Sequence, residues 1–244
     1  MTPRTAEAAR PIRSGTTVTP PEPPFALAIF DFDGTLADTL PWFFAQLDDL
    51  AGRFAIALPR PLDLDAMRGL SAREIMALLR IPAWKLPSIA RHVHARAARS
   101  EIALFAGVRE MLAALHDAGV AVAVVSSNGE AAVRRALGAE EAARVSQFAC
   151  GAKLFGKARV FRAVARRAGV APARVICIGD EIRDGEAARE AGLAFGAVAW
   201  GYNTPEALAR ALPEAHRFEE VADIAAALIP DCGVDERITR IAGM

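Results

Sequence analysis

The sequence predicts an α/β protein built on a doubly wound parallel sheet. Four short segments are almost continuously apolar, as strands of a parallel sheet covered on both faces must be; they are Phe25–Phe30, Val120–Val125, Arg174–Ile178 and Phe195–Trp200. Amphipathic segments with helical spacing lie between them, namely Val108–Ala118, Glu130–Leu137, Lys157–Ala168 and Arg183–Ala191. Strand and helix therefore alternate along the chain, which indicates a sheet with helices packed on both faces.

One long stretch, residues 39–104, interrupts this alternation, because it shows helical spacing and turn residues but no strand pattern. Ser71, followed three residues later by Glu74, forms a capping box that predicts a helix over Ala72–Leu79. A further helix is predicted over Ser88–Arg99. We interpret 39–104 as a small α-helical domain inserted after the first strand, with the α/β core formed by 25–38 and 105–230.

The two ends of the chain differ from this core. Residues 1–24 contain six prolines and few apolar residues, which predicts a disordered tail, and residues 231–244 are predicted to be a C-terminal tail. An Arg-containing presequence is the alternative for the first segment, but its prolines disfavour the amphipathic helix that such a presequence forms.

Composition limits the class of protein. The 29 Lys and Arg residues balance the 29 Asp and Glu residues, which leaves no electrostatic signature for nucleic acid or for an anionic membrane. No apolar run is long enough for a signal peptide or a membrane-spanning helix. The three cysteines, Cys150, Cys177 and Cys232, are far apart, which disfavours a zinc site or a disulfide framework. We therefore expect a cytoplasmic protein without nucleic-acid or membrane partners.

The strongest chemical signal is the run DFDGT at 31–35, directly after the first strand. Ligands of open α/β sheets bind at the carboxyl ends of the strands. Asp31 and Asp33, two residues apart, can converge there on one cation or one phosphoryl group, and Gly34 lets the chain turn away. An ordinary acidic turn is the alternative interpretation of this run alone.

Two further signals suit an anion. Ser126 and Ser127 follow the second strand, where a hydroxyl and backbone N–H groups at a helix N-terminus either hold an oxyanion or cap the helix. Lys157 opens a predicted helix, a position that costs about 0.3–1 kcal/mol unless an anion lies nearby. Lys153, in the preceding loop, is the competing lysine.

The fourth signal is acidic. Asp180 follows the Arg174–Ile178 strand, and Asp184 lies four residues further on. Asp180 and Asp31 therefore end different strands, and the two together predict a Mg²⁺ site, since Mg²⁺ needs few carboxylates beside water and phosphate oxygens. Helix capping explains either Asp180 or Asp184 alone, but explains the whole set less well.

These motifs, in this order, resemble those of the haloacid dehalogenase superfamily of phosphotransferases, over about residues 25–230. The helical insert is similar to the C1 cap of the phosphoglycolate phosphatase-like subgroup. The resemblance implies a Mg²⁺-dependent phosphatase that hydrolyses small phosphorylated metabolites through an aspartyl-phosphate intermediate. The chain departs from the usual pattern at Glu181, where many relatives have Ser, and at Ala158, where the lysine is commonly followed by Pro.

The same resemblance implies a role for each acidic residue. Asp31 would be the nucleophile and a metal ligand. Asp33 would be the general acid and base, with its backbone carbonyl also on the metal. Asp180 would complete the Mg²⁺ site, and Asp184 would support it.

The remaining candidates would bind the substrate. Ser126, Ser127 and Lys157 would hold the phosphoryl oxygens. Arg68 and Arg73 flank a turn of the insert where relatives often contact the leaving group, and ordinary surface arginines are the alternative interpretation. A phosphomutase of the same superfamily would keep all these motifs and remains an alternative, whereas a non-catalytic binding module is disfavoured because the catalytic set is complete.

Overall fold

A computed structural model describes residues 22–151 and 156–230. Its strands are β1 (Leu27–Phe30), β2 (Ala121–Ser126), β3 (Val145–Cys150), β4 (Val175–Gly179), β5 (Ala194–Val198) and β6 (His216–Phe218). They form one sheet in the order β3-β2-β1-β4-β5-β6, and every neighbouring pair is parallel. The predicted doubly wound sheet is confirmed. The predictions for residues 1–21, Lys153 and 231–244, including Cys232, lie outside the described residues.

Helices cover both faces of the sheet. One face carries α6 (Val108–Asp117), α7 (Glu130–Leu137), α8 (Ala139–Arg144) and α12 (Val221–Leu228), and the other carries α9 (Lys157–Ala168), α10 (Ile182–Ala191) and α11 (Pro205–Ala211). Alternate residues of β1 enter the two resulting cores and are fully buried in them. This two-sided burial explains why the central strands are continuously apolar in sequence.

The strand register determines where the functional residues meet. Phe30, the last residue of β1, is paired with Val124 of β2 on one side and with Ile178 of β4 on the other. The carboxyl ends of the three central strands therefore lie at one edge of the sheet. The residues that follow these ends emerge side by side.

The helical insert, residues 39–104, contains helices, turns and irregular segments, and its one β contact is an isolated bridge of Leu104 to Ala37. Its helices are α1 (Leu40–Phe44), α2 (Leu47–Phe54), α3 (Leu64–Arg68), α4 (Ala72–Leu78) and α5 (Leu86–Ala97), with a 3₁₀ turn at Ala83–Lys85. The capping box is confirmed, since Ser71 Oγ accepts from Glu74 N at 3.3 Å and Glu74 Oε2 accepts from Ser71 N at 2.7 Å. Helix α5 begins two residues earlier than predicted, because Pro87 is tolerated in a first helical turn.

The insert leaves and rejoins the core at one place. Asp38 N donates to Ala103 O at 2.9 Å, and Phe105 N donates to Leu36 O at 3.0 Å. The two segments that connect the insert to the core are therefore hydrogen-bonded to each other, next to the end of β1. The insert is thus joined to the core close to the carboxyl end of β1.

Two strands, β3 and β6, have no counterpart in the predicted set. Both lie at edges of the sheet. Most of β3 is only partly buried, and β6 has three residues, the first two of which are exposed. Neither therefore shows the continuous apolar run of the central strands. Within the described ranges, no helix has the length and apolar character needed to cross a bilayer.

Candidate active site

Asp31 lies at the centre of the carboxyl edge. Its Oδ1 accepts a hydrogen bond from Phe32 N at 2.8 Å, and its Oδ2 accepts one from Lys157 Nζ, also at 2.8 Å. Only 7% of the residue is exposed. The carboxylate is thus held in one orientation at the end of β1, beside a buried cation.

Lys157 joins two carboxylates. Besides Asp31, its Nζ donates to Asp184 Oδ1 at 2.6 Å, and the side chain is 5% exposed. Burial alone would lower the pKa of Lys157, but Asp184 and Asp31 raise it, so the amine is charged at neutral pH. Of the two lysines that the sequence offered, Lys157 lies in this cluster.

Asp180 is fully buried and held by two donors. Thr35 Oγ1 donates to its Oδ1 at 2.6 Å, and Tyr202 N donates to its Oδ2 at 2.8 Å. Gly34 makes this approach possible, because its φ is +76° and a Cβ there would lie 2.3 Å from Asp180 Oδ2. The DFDGT run and the acidic motif after β4 are therefore packed directly against each other.

Three carboxylates form a candidate metal site. Oxygen atoms of Asp31, Asp180 and Asp184 all lie within 4.8 Å of one another. The second oxygen of Asp184, Oδ2, is buried and accepts no hydrogen bond from the described residues. Buried, closely spaced carboxylate oxygens with spare acceptor capacity fit a hard divalent cation. The predicted ligand set was Asp31, Asp33 and Asp180, with Asp184 in a supporting role. In the structure, Asp184 is itself a member of the carboxylate cluster with Asp31 and Asp180.

The electrostatics of the cluster favour such a cation. Burial raises the pKa of Asp31 to about 7, although Lys157 acts against it. Burial and the neighbouring carboxylates Glu181, Asp31 and Asp184 raise the pKa of Asp180 well above its usual value. Burial also acts on Asp184, but Lys157 and Arg183 hold its pKa below the usual range. Without a metal, the ionised forms of Asp31 and Asp180 are thus disfavoured, and a divalent ion would favour them.

Asp33 belongs to a second, linked group. Its Oδ2 accepts from Asn128 Nδ2 at 2.8 Å, while Asn128 N donates to Ser126 Oγ at 3.0 Å. Burial raises the pKa of Asp33, and the hydrogen bond from Asn128 lowers it less strongly. A carboxyl group with a raised pKa keeps its proton to higher pH than an ordinary carboxyl group does, which suits a general acid. Ser126 is fully buried, and its hydroxyl hydrogen is still available to an acceptor.

Ser127, which was predicted to hold a phosphoryl oxygen, contacts the helical insert. Its Oγ lies 3.1 Å from Nε2 of His94, a half-buried residue of α5. Burial lowers the pKa of His94. The helical insert therefore contacts the loop after β2 through His94 and Ser127.

The structure separates the two candidate arginines of the insert. Arg68 donates from Nη2 to Gly201 O at 2.9 Å and from Nε to Tyr202 O at 3.4 Å, so its guanidinium is bound to a core loop. Arg73 is exposed and lines a cavity of about 180 Å³ that Lys157 also lines. Arg73 remains the candidate for substrate contact. Arg68 instead joins the insert to the core through its hydrogen bonds to backbone carbonyls.

Sequence reasoning gave no role to several polar residues of the site: Thr35, Asn128, Tyr202 and Asn203. Thr35 belongs to the DFDGT run, and Asn128 follows Ser126 and Ser127 at a strand end, so position alone pointed to these two. Tyr202 and Asn203 follow β5 in a segment without acidic or basic residues, so the sequence gave no reason to select them.

Comparison with known proteins agrees with this geometry. A family described as haloacid dehalogenase-like hydrolase matches residues 28–198. The chain is 32% identical over 189 residues to a phosphoglycolate phosphatase from Synechococcus elongatus, covering 76% of this chain and 89% of that protein. It is also 32% identical over 200 residues to an N-acetylmuramic acid 6-phosphate phosphatase from Pseudomonas aeruginosa, covering 73% and 83%. Among solved structures, a predicted phosphatase from Clostridium acetobutylicum has the same fold, with a TM-score of 0.67, 19% identity, and coverage of 83% of this chain and 97% of that one.

The matched region includes the whole acidic cluster and the lysine that joins it, from Asp31 to Asp184. More than two thirds of the chain is covered by each of the two relatives. The chain is therefore a phosphatase of the haloacid dehalogenase-like hydrolase family and is similar to phosphoglycolate phosphatases.

Proposed function

We propose that this protein is a Mg²⁺-dependent phosphatase that hydrolyses small phosphate monoesters through a phosphoryl group carried on Asp31. One observation carries the proposal. Asp31, at the end of β1, shares Lys157 with Asp184, within 4.8 Å of Asp180. A nucleophilic carboxylate, a fixed cation and a metal-binding carboxylate pair are the parts that phosphoryl transfer to an aspartate requires.

In the first step, an oxygen of Asp31 attacks phosphorus and the ester oxygen leaves. Mg²⁺, held by Asp31 and Asp180 with Asp184 close by, would offset the repulsion between the carboxylate and the phosphate dianion. Lys157 and Ser126 hold equatorial phosphoryl oxygens as charge develops on them. Since Lys157 is already fixed by two carboxylates, it needs little reorganisation to do so.

Asp33 moves the protons of both steps. In its acid form it protonates the leaving alkoxide, and as a carboxylate it then takes a proton from the water that attacks the phosphoryl group on Asp31. The raised pKa of Asp33 supports the first role, because it keeps a proton available at higher pH than an ordinary carboxyl group. Asn128 donates to Asp33 Oδ2 and fixes its orientation.

The helical insert supports the substrate class. Its connections are hydrogen-bonded to each other beside β1, and a helical lid at this end of the sheet suits a small phosphorylated metabolite better than a folded protein or polymer. Arg73 is the insert residue that we assign to a polar or anionic group on the leaving part. We also propose a cytoplasmic location, where such metabolites are found.

A substrate screen tests the proposal directly. Purified protein with Mg²⁺ should release phosphate from members of a panel that includes phosphoglycolate, N-acetylmuramic acid 6-phosphate, sugar phosphates and p-nitrophenyl phosphate. Absence of phosphate release from every ester would contradict the proposal. Conversion of one sugar monophosphate into its isomer, dependent on a bisphosphate primer and without phosphate release, would favour the phosphomutase instead.

Removal of the metal should abolish turnover. EDTA is expected to stop phosphate release, Mg²⁺ to restore it, and Ca²⁺ to inhibit it, because the larger and looser coordination of Ca²⁺ misplaces Asp31. Since burial raises the pKa of Asp31 to about 7, a proton must leave this carboxyl group when the metal binds at lower pH, so Mg²⁺ affinity should rise with pH and level off once Asp31 is ionised above about 7. Phosphate assays measure turnover, and calorimetric titrations at several pH values measure the affinity. Full activity in EDTA with no metal detectable by elemental analysis would contradict the assignment.

Replacement of Asp33 with Asn should slow the reaction according to the leaving group. Alkyl phosphates need a proton on the departing oxygen, so their first step should slow by about 10²–10⁴-fold, the usual contribution of general acid catalysis. An aryl phosphate such as p-nitrophenyl phosphate should lose much less in that step. Single-turnover assays compare the two, and an equal loss for both would contradict the acid role of Asp33.

A further inference from the structure

The segment Gly201–Thr204, which we call the 201–204 loop, binds the candidate metal ligand Asp180. Tyr202 N donates to Asp180 Oδ2 at 2.8 Å, and Asn203 N donates to Asp180 O at 3.2 Å. A Cβ at Gly201 would lie 2.1 Å from Asp180 Cβ, so the loop backbone is in direct contact with this residue. Any displacement of the 201–204 loop therefore moves a donor that orients the Asp180 carboxylate.

Asn203 connects this loop to the helical insert. Its Nδ2 donates to Arg68 O and to Leu70 O, both at 2.8 Å, and its Oδ1 accepts from Ile182 N, the first residue of α10, at 3.0 Å. The side chain is almost completely buried, with 5% exposed. The side chain therefore donates two hydrogen bonds to the insert and accepts one from α10. An amide can do both, whereas a carboxylate could only accept.

Further contacts reinforce the connection from both sides. Thr204 N donates to Arg68 O at 3.1 Å, and the Arg68 guanidinium donates back to Gly201 O at 2.9 Å. At the other end of the insert, Tyr202 Oη lies 3.1 Å from Thr39 Oγ1, and the Tyr202 and Phe43 rings meet edge to face with centroids 5.8 Å apart. The loop thus touches the insert at its first residues and at the turn after α3.

We propose that the 201–204 loop transmits the position of the helical insert to Asp180, and that Asn203 is the positioning residue of this connection. The inference rests on the proposed function, because it takes Asp180 as a metal ligand. When the insert lies against the loop, Tyr202 N points at Asp180 Oδ2 and the carboxylate is oriented for the cation. When the insert moves away, the loop loses its bonds to residues 68–70 and the carboxylate loses its alignment.

Metal binding and insert position are then coupled, and the coupling must act in both directions. Replacing Asn203 with Ala should weaken Mn²⁺ binding, followed by the electron paramagnetic resonance signal of the free ion, by about tenfold, as loss of a group that orients a ligand usually does. In wild type, Mg²⁺ should slow amide hydrogen exchange around residues 66–70. In Asn203→Ala this slowing should be absent even when Mg²⁺ is saturating.

Two matched variants separate positioning from general stability. Thr204→Ala removes the hydroxyl that accepts from Ala207 N at 3.3 Å and caps α11, so it should lower the melting temperature and leave Mn²⁺ affinity within twofold of wild type. Asn203→Asp keeps the acceptor for Ile182 N but loses both donors to the insert. Its added negative charge would by itself strengthen cation binding, so weaker Mn²⁺ binding in this variant identifies the lost connection as the cause.

The outcomes distinguish this inference from the proposed function. Wild type that binds neither Mn²⁺ nor Mg²⁺ would overturn both. Wild type that binds Mn²⁺, together with Asn203→Ala and Asn203→Asp variants of unchanged affinity and unchanged Mg²⁺-dependent protection at 66–70, would overturn the positioning role alone. Weakened binding in the two Asn203 variants but not in Thr204→Ala is the expected result.

Discussion

Replacing Asp31 with Asn is expected to abolish phosphate release while the protein stays folded. The amide has nearly the same shape and can still accept from Phe32 N, as Asp31 Oδ1 does at 2.8 Å. It cannot carry the phosphoryl group, and it contributes no charge to a cation. The loss of turnover should exceed about a thousandfold, since removal of a nucleophile can cost as much as about 10⁶-fold.

The matched control is Asp38→Asn. Asp38 lies on the same segment, but it is exposed and outside the carboxylate cluster, so its replacement should leave turnover unchanged. A fluoroberyllate adduct, a mimic of the phosphoryl group, should form on Asp31 in wild type and should be absent from Asp31→Asn. Normal turnover by Asp31→Asn, or an adduct on Asp33, would overturn the assignment of the nucleophile.

The stability of the Asp31→Asn variant should depend on pH in a defined direction. Burial raises the pKa of Asp31 from 3.8 to about 7, so the folded protein without metal binds this proton more tightly than the unfolded chain. Ionisation of Asp31 therefore costs stability as pH rises from about 4 to 7, and the variant does not bear this cost. In EDTA, the melting temperature of the variant relative to wild type should be higher at pH 8 than at pH 5.

The central sheet was predictable because its strands are buried on both faces. Continuous apolar runs identified β1, β2, β4 and β5 to within about two residues at their ends, and the parallel arrangement of the strands followed from the alternation with helices. The edge strands β3 and β6 are partly exposed and mixed in composition, so no periodicity separated them from loops. Helices α1, α8 and α11, each of seven residues or fewer, were likewise too short to show a full amphipathic period.

The candidate site likewise contains residues that the sequence predicted and residues that it did not. Asp31, Lys157 and Asp180 were found because charged residues at strand ends and helix starts are exceptional in an apolar pattern. The bonds of Asn128 to Asp33 and of Asn203 to the insert join residues far apart in the chain. The first depends on the pairing of β1 with β2, and the second on how the loop after β5 packs against the insert. Asn is also a common turn and capping residue, so the position of Asn128 at a strand end could not identify its bond to Asp33, and the local sequence did not single out Asn203.

Lys157→Met should cause the second large loss, in both activity and stability. The variant keeps the apolar stem of the side chain but leaves Asp31 and Asp184 without the amine that now lies 2.8 and 2.6 Å from them. Breaking such a buried ion pair typically costs about 3–5 kcal/mol. Loss of one group that stabilises the developing oxyanion should reduce turnover by about 10²–10³-fold.

The loss of stability in Lys157→Met should shrink as pH falls, and the sign follows from the carboxylates. Without the amine, the folded-state pKa of Asp31 rises further above that of the unfolded chain, and the pKa of Asp184 loses the effect that holds it below its usual range, so protons bind more readily to the folded variant than to folded wild type. Urea unfolding at pH 8 and pH 5.5 should show a larger deficit relative to wild type at pH 8, and Mg²⁺ should recover part of it by replacing the missing positive charge. Lys153→Met is the matched comparison, since Lys153 is the other lysine that the sequence offered. If Lys153→Met lost turnover while Lys157→Met kept it, the phosphate-binding role would belong to Lys153, and the bridge from Lys157 to Asp31 and Asp184 would be a purely structural ion pair.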